Sequence, residues 1–61
     1  MIMENHRISF IHYNIEYSFI KAIGGYLEGY ELMVACRAEV RAYMKKHNLK
    51  GKYILTGMAK I

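Results

Sequence analysis

The chain has 61 residues with a net charge of +4, 54% of them hydrophobic, one cysteine and no proline or tryptophan. That length holds one domain, and a lone cysteine excludes both an intramolecular disulfide framework and a multi-cysteine zinc site. The composition also excludes intrinsic disorder, which needs high charge and few aromatics, whereas six tyrosines and two phenylalanines stand here.

A domain of about 60 residues buries only about 60% of the surface of its unfolded chain and is marginal alone. With neither disulfide nor metal to staple it, a second copy or a docked partner is the expected supplement. A homo-oligomer is therefore anticipated from size alone.

The N-terminal stretch MIMENHRISFI places Glu4 and His6 where the apolar segment of a signal peptide would lie. The longest uninterrupted apolar run, Leu32 to Cys36, falls far short of the roughly 20 residues of a membrane span. A reduced, cytoplasmic setting without membrane contact is the expectation.

Next, Ile11, Tyr13, Ile15, Tyr17 and Phe19 alternate with His12, Asn14, Glu16 and Ser18, the period-2 pattern of a half-buried strand. Ile8 and Phe10 obey the opposite phase. A one-residue slip exchanges the faces of a strand, so a bulge or a turn must intervene. A tight hairpin at Tyr13-Asn14 accounts for the switch, since asparagine tolerates left-handed geometry. Two antiparallel strands are favoured over one.

Gly24-Gly25 punctuates the chain, and helical spacing follows from Tyr26 to His47 through Tyr26, Leu27, Tyr30, Met33, Val34, Val40, Tyr43 and Met44. Glu28 and Glu31 lie early and Lys45, Lys46 and His47 late, as the helix dipole favours. NLKG reads as the stop, with Asn48 or Gly51 left-handed. In the closing segment Tyr53, Leu55, Ala59 and Ile61 are expected to share one strand face, with Gly57 a weak point or bulge. Residues 1–61 thus read as a single α+β domain. A small antiparallel sheet of two or three strands packs on one long helix, in strand–strand–helix–strand order.

Charge is segregated. Residues 37–61 hold Arg37, Arg41, Lys45, Lys46, Lys50, Lys52 and Lys60 against Glu39 alone, which favours an anionic partner. Arg37 falls within the arc of Tyr26, Tyr30, Met33, Val40 and Met44, where burial without a partner would cost several kcal/mol. Three arrangements resolve this. The core stripe can instead be Leu27, Val34 and Ala38, with Tyr30 shared and the arginines in water. Arg37 can lie in a homo-oligomer interface, or Arg37, Arg41 and Lys45 can form a ridge for an anion. Arginine, tyrosine and methionine are enriched in interface cores.

Catalytic sets are poorly supported. Glu28 and Glu31 are the only close helical carboxylate pair and belong near a helix start anyway. Cys36 sits among apolar residues, where cysteine is usually an inert small hydrophobe, and reaching His6, His12 or His47 would require the fold to gather them. The histidines lack metal-ligand spacing, and neither AIGG nor GYLEG is a phosphate loop. No enzyme activity, cofactor or metal is expected.

The reading that follows is a small basic interaction protein, expected to be a homodimer, that modulates or inhibits a protein partner by covering an acidic surface. Arg37, Arg41 and Lys45 are the candidate steering residues, with Tyr30, Met33 and Met44 as apolar anchors. The element order is a layout met among small phage and mobile-element proteins that inhibit a host enzyme, an analogy of fold only. The alternative is a nucleic-acid-binding dimer using Arg37, Arg41, Lys45, Lys46, Lys50 and Lys52, with Tyr43 and Tyr53 available for stacking. No helix-turn-helix spacing or RNA-recognition motif accompanies that basic run.

Overall fold

The computed structural model describes residues 2–61. Strands β1 (Met3–His12) and β2 (Ile15–Gly24) form an antiparallel hairpin. Tyr13 and Asn14 make the two-residue connection with φ of 49° and 64°. Positive φ at both positions is the signature of a type I′ turn, whose twist matches that of the flanking strands. Across it His12 faces Ile15, Phe10 faces Tyr17 and Ile8 faces Phe19. An even position of β1 always opposes an odd position of β2, so the phase switch in the sequence is the hairpin itself.

Helix α1 (Gly29–Lys46) follows, and β3 (Ile54–Lys60) returns antiparallel along the free side of β1, giving the sheet order β2-β1-β3. The chain is α+β in strand–strand–helix–strand order. Among the described residues, no helix is long and apolar enough to cross a membrane.

The helix begins three residues later than the periodicity implies. Gly24, Gly25 and Tyr26 turn the chain, and a Cβ on Gly24 would lie 2.6 Å from the Tyr26 ring. Tyr26 therefore covers a glycine instead of opening the helix. At the other end, the Asn48 N–H donates to the Lys45 carbonyl and the Leu49 N–H to the Met44 carbonyl at 2.7 Å. With Asn48 at φ 57°, this is a Schellman cap, which satisfies carbonyls the helix leaves orphaned. Gly51 is also left-handed, at φ 105°.

The core comprises Ile8, Phe10, Ile23, Cys36, Val40 and Met44. Phe10 is its centre. Its ring stacks on Tyr17 at 5.1 Å and meets Phe19, Tyr43 and Tyr53 edge-on, geometries that add to simple burial. On the helix the buried stripe is Cys36, Val40 and Met44, with Leu32, Ala35 and Tyr43 packed beside it. The stripe Leu27, Val34, Ala38 is not the core face, since Val34 and Ala38 are exposed and Leu27 packs from ahead of the helix. Arg37 sits about 100° around the helix from Cys36 and is exposed. The apolar stripe of the sequence was placed on the wrong arc because it omitted Leu32 and Cys36.

Two further positions differ from expectation. His12 read as a polar-face residue, yet it is buried, as is His6, because the turn register assigns even positions of β1 to the helix side. The His6 Nδ1–H donates to the Glu4 carbonyl at 2.9 Å. In β3, Leu55 opposes Phe10 but Gly57 opposes Ser9, leaving Thr56 as the extra residue of a bulge. Past it Met58 takes the inner side opposite Ile8, and Ala59 faces outward opposite Arg7, so Ala59 does not share a face with Leu55.

Among the described residues, two ion pairs tether the edge strands: Lys60 of β3 to Glu4 of β1 at 2.8 Å and Lys21 of β2 to Glu39 of α1 at 3.9 Å. The Lys60 ammonium, through its hydrogen bond and its charge, holds the Glu4 carboxyl below the usual carboxylate range. A lowered folded-state pKa supplies stability above the unfolded value of about 4.5 and loses it as pH falls through the folded value. Stability measured by urea titration should therefore fall below about pH 4.5, and Lys60→Ala should shrink that acid-side loss. An unchanged slope in the variant would assign it to other carboxylates. Phe10→Ala should cost about 3–5 kcal/mol, comparable with the whole stability of a domain this size, about 3–9 kcal/mol. Circular dichroism should show its melting transition lost or lowered by tens of degrees. An unshifted midpoint would place the core elsewhere.

Candidate functional site

The last turns of α1, the 47–53 connection and the entry to β3 enclose an open groove of about 350 Å³. Met44, Leu49 and Tyr53 supply apolar surface, Arg41, Lys45 and Lys50 supply cations, and Asn48 and Gly51 complete the lining. No acidic residue lines it. Among the described residues, Arg41, Lys45 and Lys50 make no ion pair, so their charge is available to an incoming anion.

Local sequence explains the shape. The Asn48 cap folds the chain back on the helix end, and its 6→1 bond sets Leu49 beside Met44. The connection is then pinned to the hairpin: the His12 ring N–H, at Nε2, donates to the Lys50 carbonyl at 2.6 Å. His12 is only 6% exposed and packs edge-on against Tyr13. Tyr13 lies over Gly51, where an added Cβ would come within 2.6 Å of the tyrosine hydroxyl. Gly51 is thus required by both its φ and its neighbour. A rigid strand end holds the loop that forms one wall of the groove.

The candidate residues distribute unevenly over this geometry. Arg41, Met44 and Lys45 converge on the groove, joined by Lys50. Met44 is largely core, at 6% exposure, and offers only its edge. Arg37 is exposed one turn earlier and does not line the groove. Tyr30, 75% exposed, borders a separate depression with Leu27, Glu31, Val34 and Ala35, and Met33 is half-buried. Lys46 lines another recess beside Lys21, Glu39 and His47. Lys52 lies with Ile11, Tyr13 and Ile54 around the hairpin end.

Leu49, Asn48 and Gly51 were not expected at the site, and Tyr53 was expected only as a stacking residue in the nucleic-acid alternative. The NLKGK segment carried the signal, since two left-handed residues close together reverse the chain onto the helix end. His12 carried none, because its bond reaches a residue 38 positions away.

Cys36 is fully buried. Burial, with Glu39 adding to it, pushes the thiol above its ordinary value, the reverse of what a nucleophile needs. His47 lies against the Tyr43 ring at 4.2 Å, and Glu28 and Glu31 are exposed. Among the described residues, no three His, Cys, Asp or Glu side chains cluster to hold a metal ion. The folded protein should accordingly react with an aromatic disulfide reagent at pH 8 only as fast as it opens, and at once in guanidinium. Stoichiometric reaction within seconds under native conditions would show an accessible thiolate. Comparison with protein-family models, curated proteins and solved structures finds no match to the chain.

Proposed function

We propose that the protein is a small interaction module that captures an acidic segment of a partner protein in the groove at the C-terminal end of α1, and modulates or inhibits the partner by covering it. The observation that carries the reading is the pairing of an apolar floor, Met44, Leu49 and Tyr53, with a rim of Arg41, Lys45 and Lys50. Apolar floors reward a desolvated side-chain anchor, while a rim of like charge steers and orients an oppositely charged chain. The target on this reading is a segment with one aliphatic or aromatic anchor flanked by Asp or Glu. A reducing, cytoplasmic setting suits the single buried thiol.

Binding to nucleic acid is the second reading. Tyr13 is 73% exposed and borders the same recess as Lys52, an arrangement that can stack a base beside a phosphate contact. Tyr53 is less free for that purpose, because it is half-buried and edge-packed on Phe10. Salt separates the two. Three phosphate contacts predict about a 40-fold loss of affinity between 50 and 200 mM salt, whereas an apolar-anchored segment should lose only a few-fold.

Retention from cell lysate on the immobilised protein, with and without nuclease, tests the proposal. A discrete host protein should be retained at 200 mM salt by wild type and by Lys46→Ala/Lys52→Ala. Arg41→Ala/Lys45→Ala/Lys50→Ala, with its folding verified, should lose it at least about tenfold, the equivalent of 1.4 kcal/mol. Retention of nucleic acid only, removed by nuclease or by 200 mM salt, would overturn it in favour of the second reading.

A further inference from the structure

The helix covers one face of the sheet and leaves the other bare. The accessible surface of the chain is 4532 Å², against about 4,100 Å² for a folded monomer of this mass, so the isolated chain carries more surface than its size calls for. Three rows of outward residues on the bare face cross all three strands, and beyond them Asn5–Ala22 and Met3–Gly24 continue the face on β1 and β2 alone. The central row is Ser9, Ser18 and Gly57, with the two serine hydroxyls 3.4 Å apart. On one side of it lie Arg7, Ile20 and Ala59, and on the other Ile11, Glu16 and Ile54. Ile20 and Ile54 are 56% and 66% exposed.

Arg7 and Glu16 are both exposed and neither is paired among the described residues. Their rows are separated by the span from Arg7 to Ile11 on β1, about 13 Å at strand rise, which keeps them from pairing within one chain. A second copy turned by a two-fold axis running across the strands resolves this. That rotation superposes the Arg7 row of one protomer on the Glu16 row of the other, twice over. Arg7 then lies one strand over from the partner copy's glutamate, Ile54 faces Ala59, and Ile20 faces Glu16 with Ile11 one strand over. The small central row permits two sheets to approach face to face at about 10 Å.

We infer that the bare sheet face is a homodimer interface, in which two symmetric Arg7–Glu16 ion pairs flank a serine–glycine centre. The inference is independent of the groove, which lies on the helix side and stays open in such a dimer. Three strands make a small interface, so association belongs among the weak, concentration-dependent ones. The opposite rotation, with the axis along the strands, would set Arg7 against Arg7 and is disfavoured by charge.

Sedimentation equilibrium on the full chain between 5 and 500 µM tests it, with circular dichroism to verify each fold. Wild type should dimerise. Arg7→Glu and Glu16→Arg should each raise the dissociation constant at least about tenfold, since each sets like charges in contact twice. The double swap Arg7→Glu/Glu16→Arg should restore it to within about threefold of wild type. Ser18→Arg, at an exposed central position, should abolish dimers independently of the ion pair. A wild-type chain that is monomeric at 500 µM overturns the inference. So does a dimer indifferent to Ser18→Arg, or a double swap no better than the single variants.

Discussion

With Tyr13 and Asn14 both in the left-handed region, β1 can fold back on β2 in one register only, and that register decides which face each residue of the hairpin takes. It puts Ile8 and Phe10 of β1, with Tyr17, Phe19 and Ile23 of β2, beneath the helix. A slip of one residue would move the entire set into water. Phe10 then receives four aromatic neighbours from β2, the helix and the entry to β3. The same register turns His12 inward, where it reaches the Lys50 carbonyl. Core and groove are therefore consequences of one turn.

The fold also sorts charge. The hairpin turn, the helix C-terminus and the start of β3 meet at one end of a molecule measuring 34 × 19 × 18 Å. Arg41, Lys45, Lys46, Lys50 and Lys52 are exposed there. Cations in the last helical turn are stabilised by the helix dipole, so Lys45 supports the helix end while its charge stays unpaired among the described residues. Paired lysines behave otherwise. Lys21 and Lys60 are committed to Glu39 and Glu4 and hold edge strands in place, which makes them poor candidates for recognition.

Much of the fold was legible because its signals are local. Alternation identified the strands, Asn14 the turn, Gly24-Gly25 the break, and Asn48 and Gly51 the helix end. What escaped depends on contacts distant in sequence. The burial of His12 follows from strand register, and its bond to the Lys50 carbonyl, 38 positions away, has no local pattern. The helix stripe was misplaced because Leu32 and Cys36 lie next to several exposed apolar residues, such as Val34 and Tyr30, that compete for the same periodicity. Gly57 marked the irregularity in β3, but Ala59 was put on the wrong face because the face switch caused by the extra residue, Thr56, was not carried past it. Of the candidate site, Arg41, Met44 and Lys45 were legible as a helical i, i+3, i+4 set. The opposite wall was not, since it is made by a loop whose position is fixed from the far end of β1.

The central claim is that the Arg41–Lys45–Lys50 groove receives a protein segment, and site-directed photo-crosslinking in cells addresses it most directly. A photoreactive residue placed at Lys45 should yield a discrete protein adduct that survives nuclease, while the same residue at Glu28, at the opposite end of the helix, should yield none. Equal adducts from both positions, or adducts from Lys45 that nuclease removes, would contradict the account.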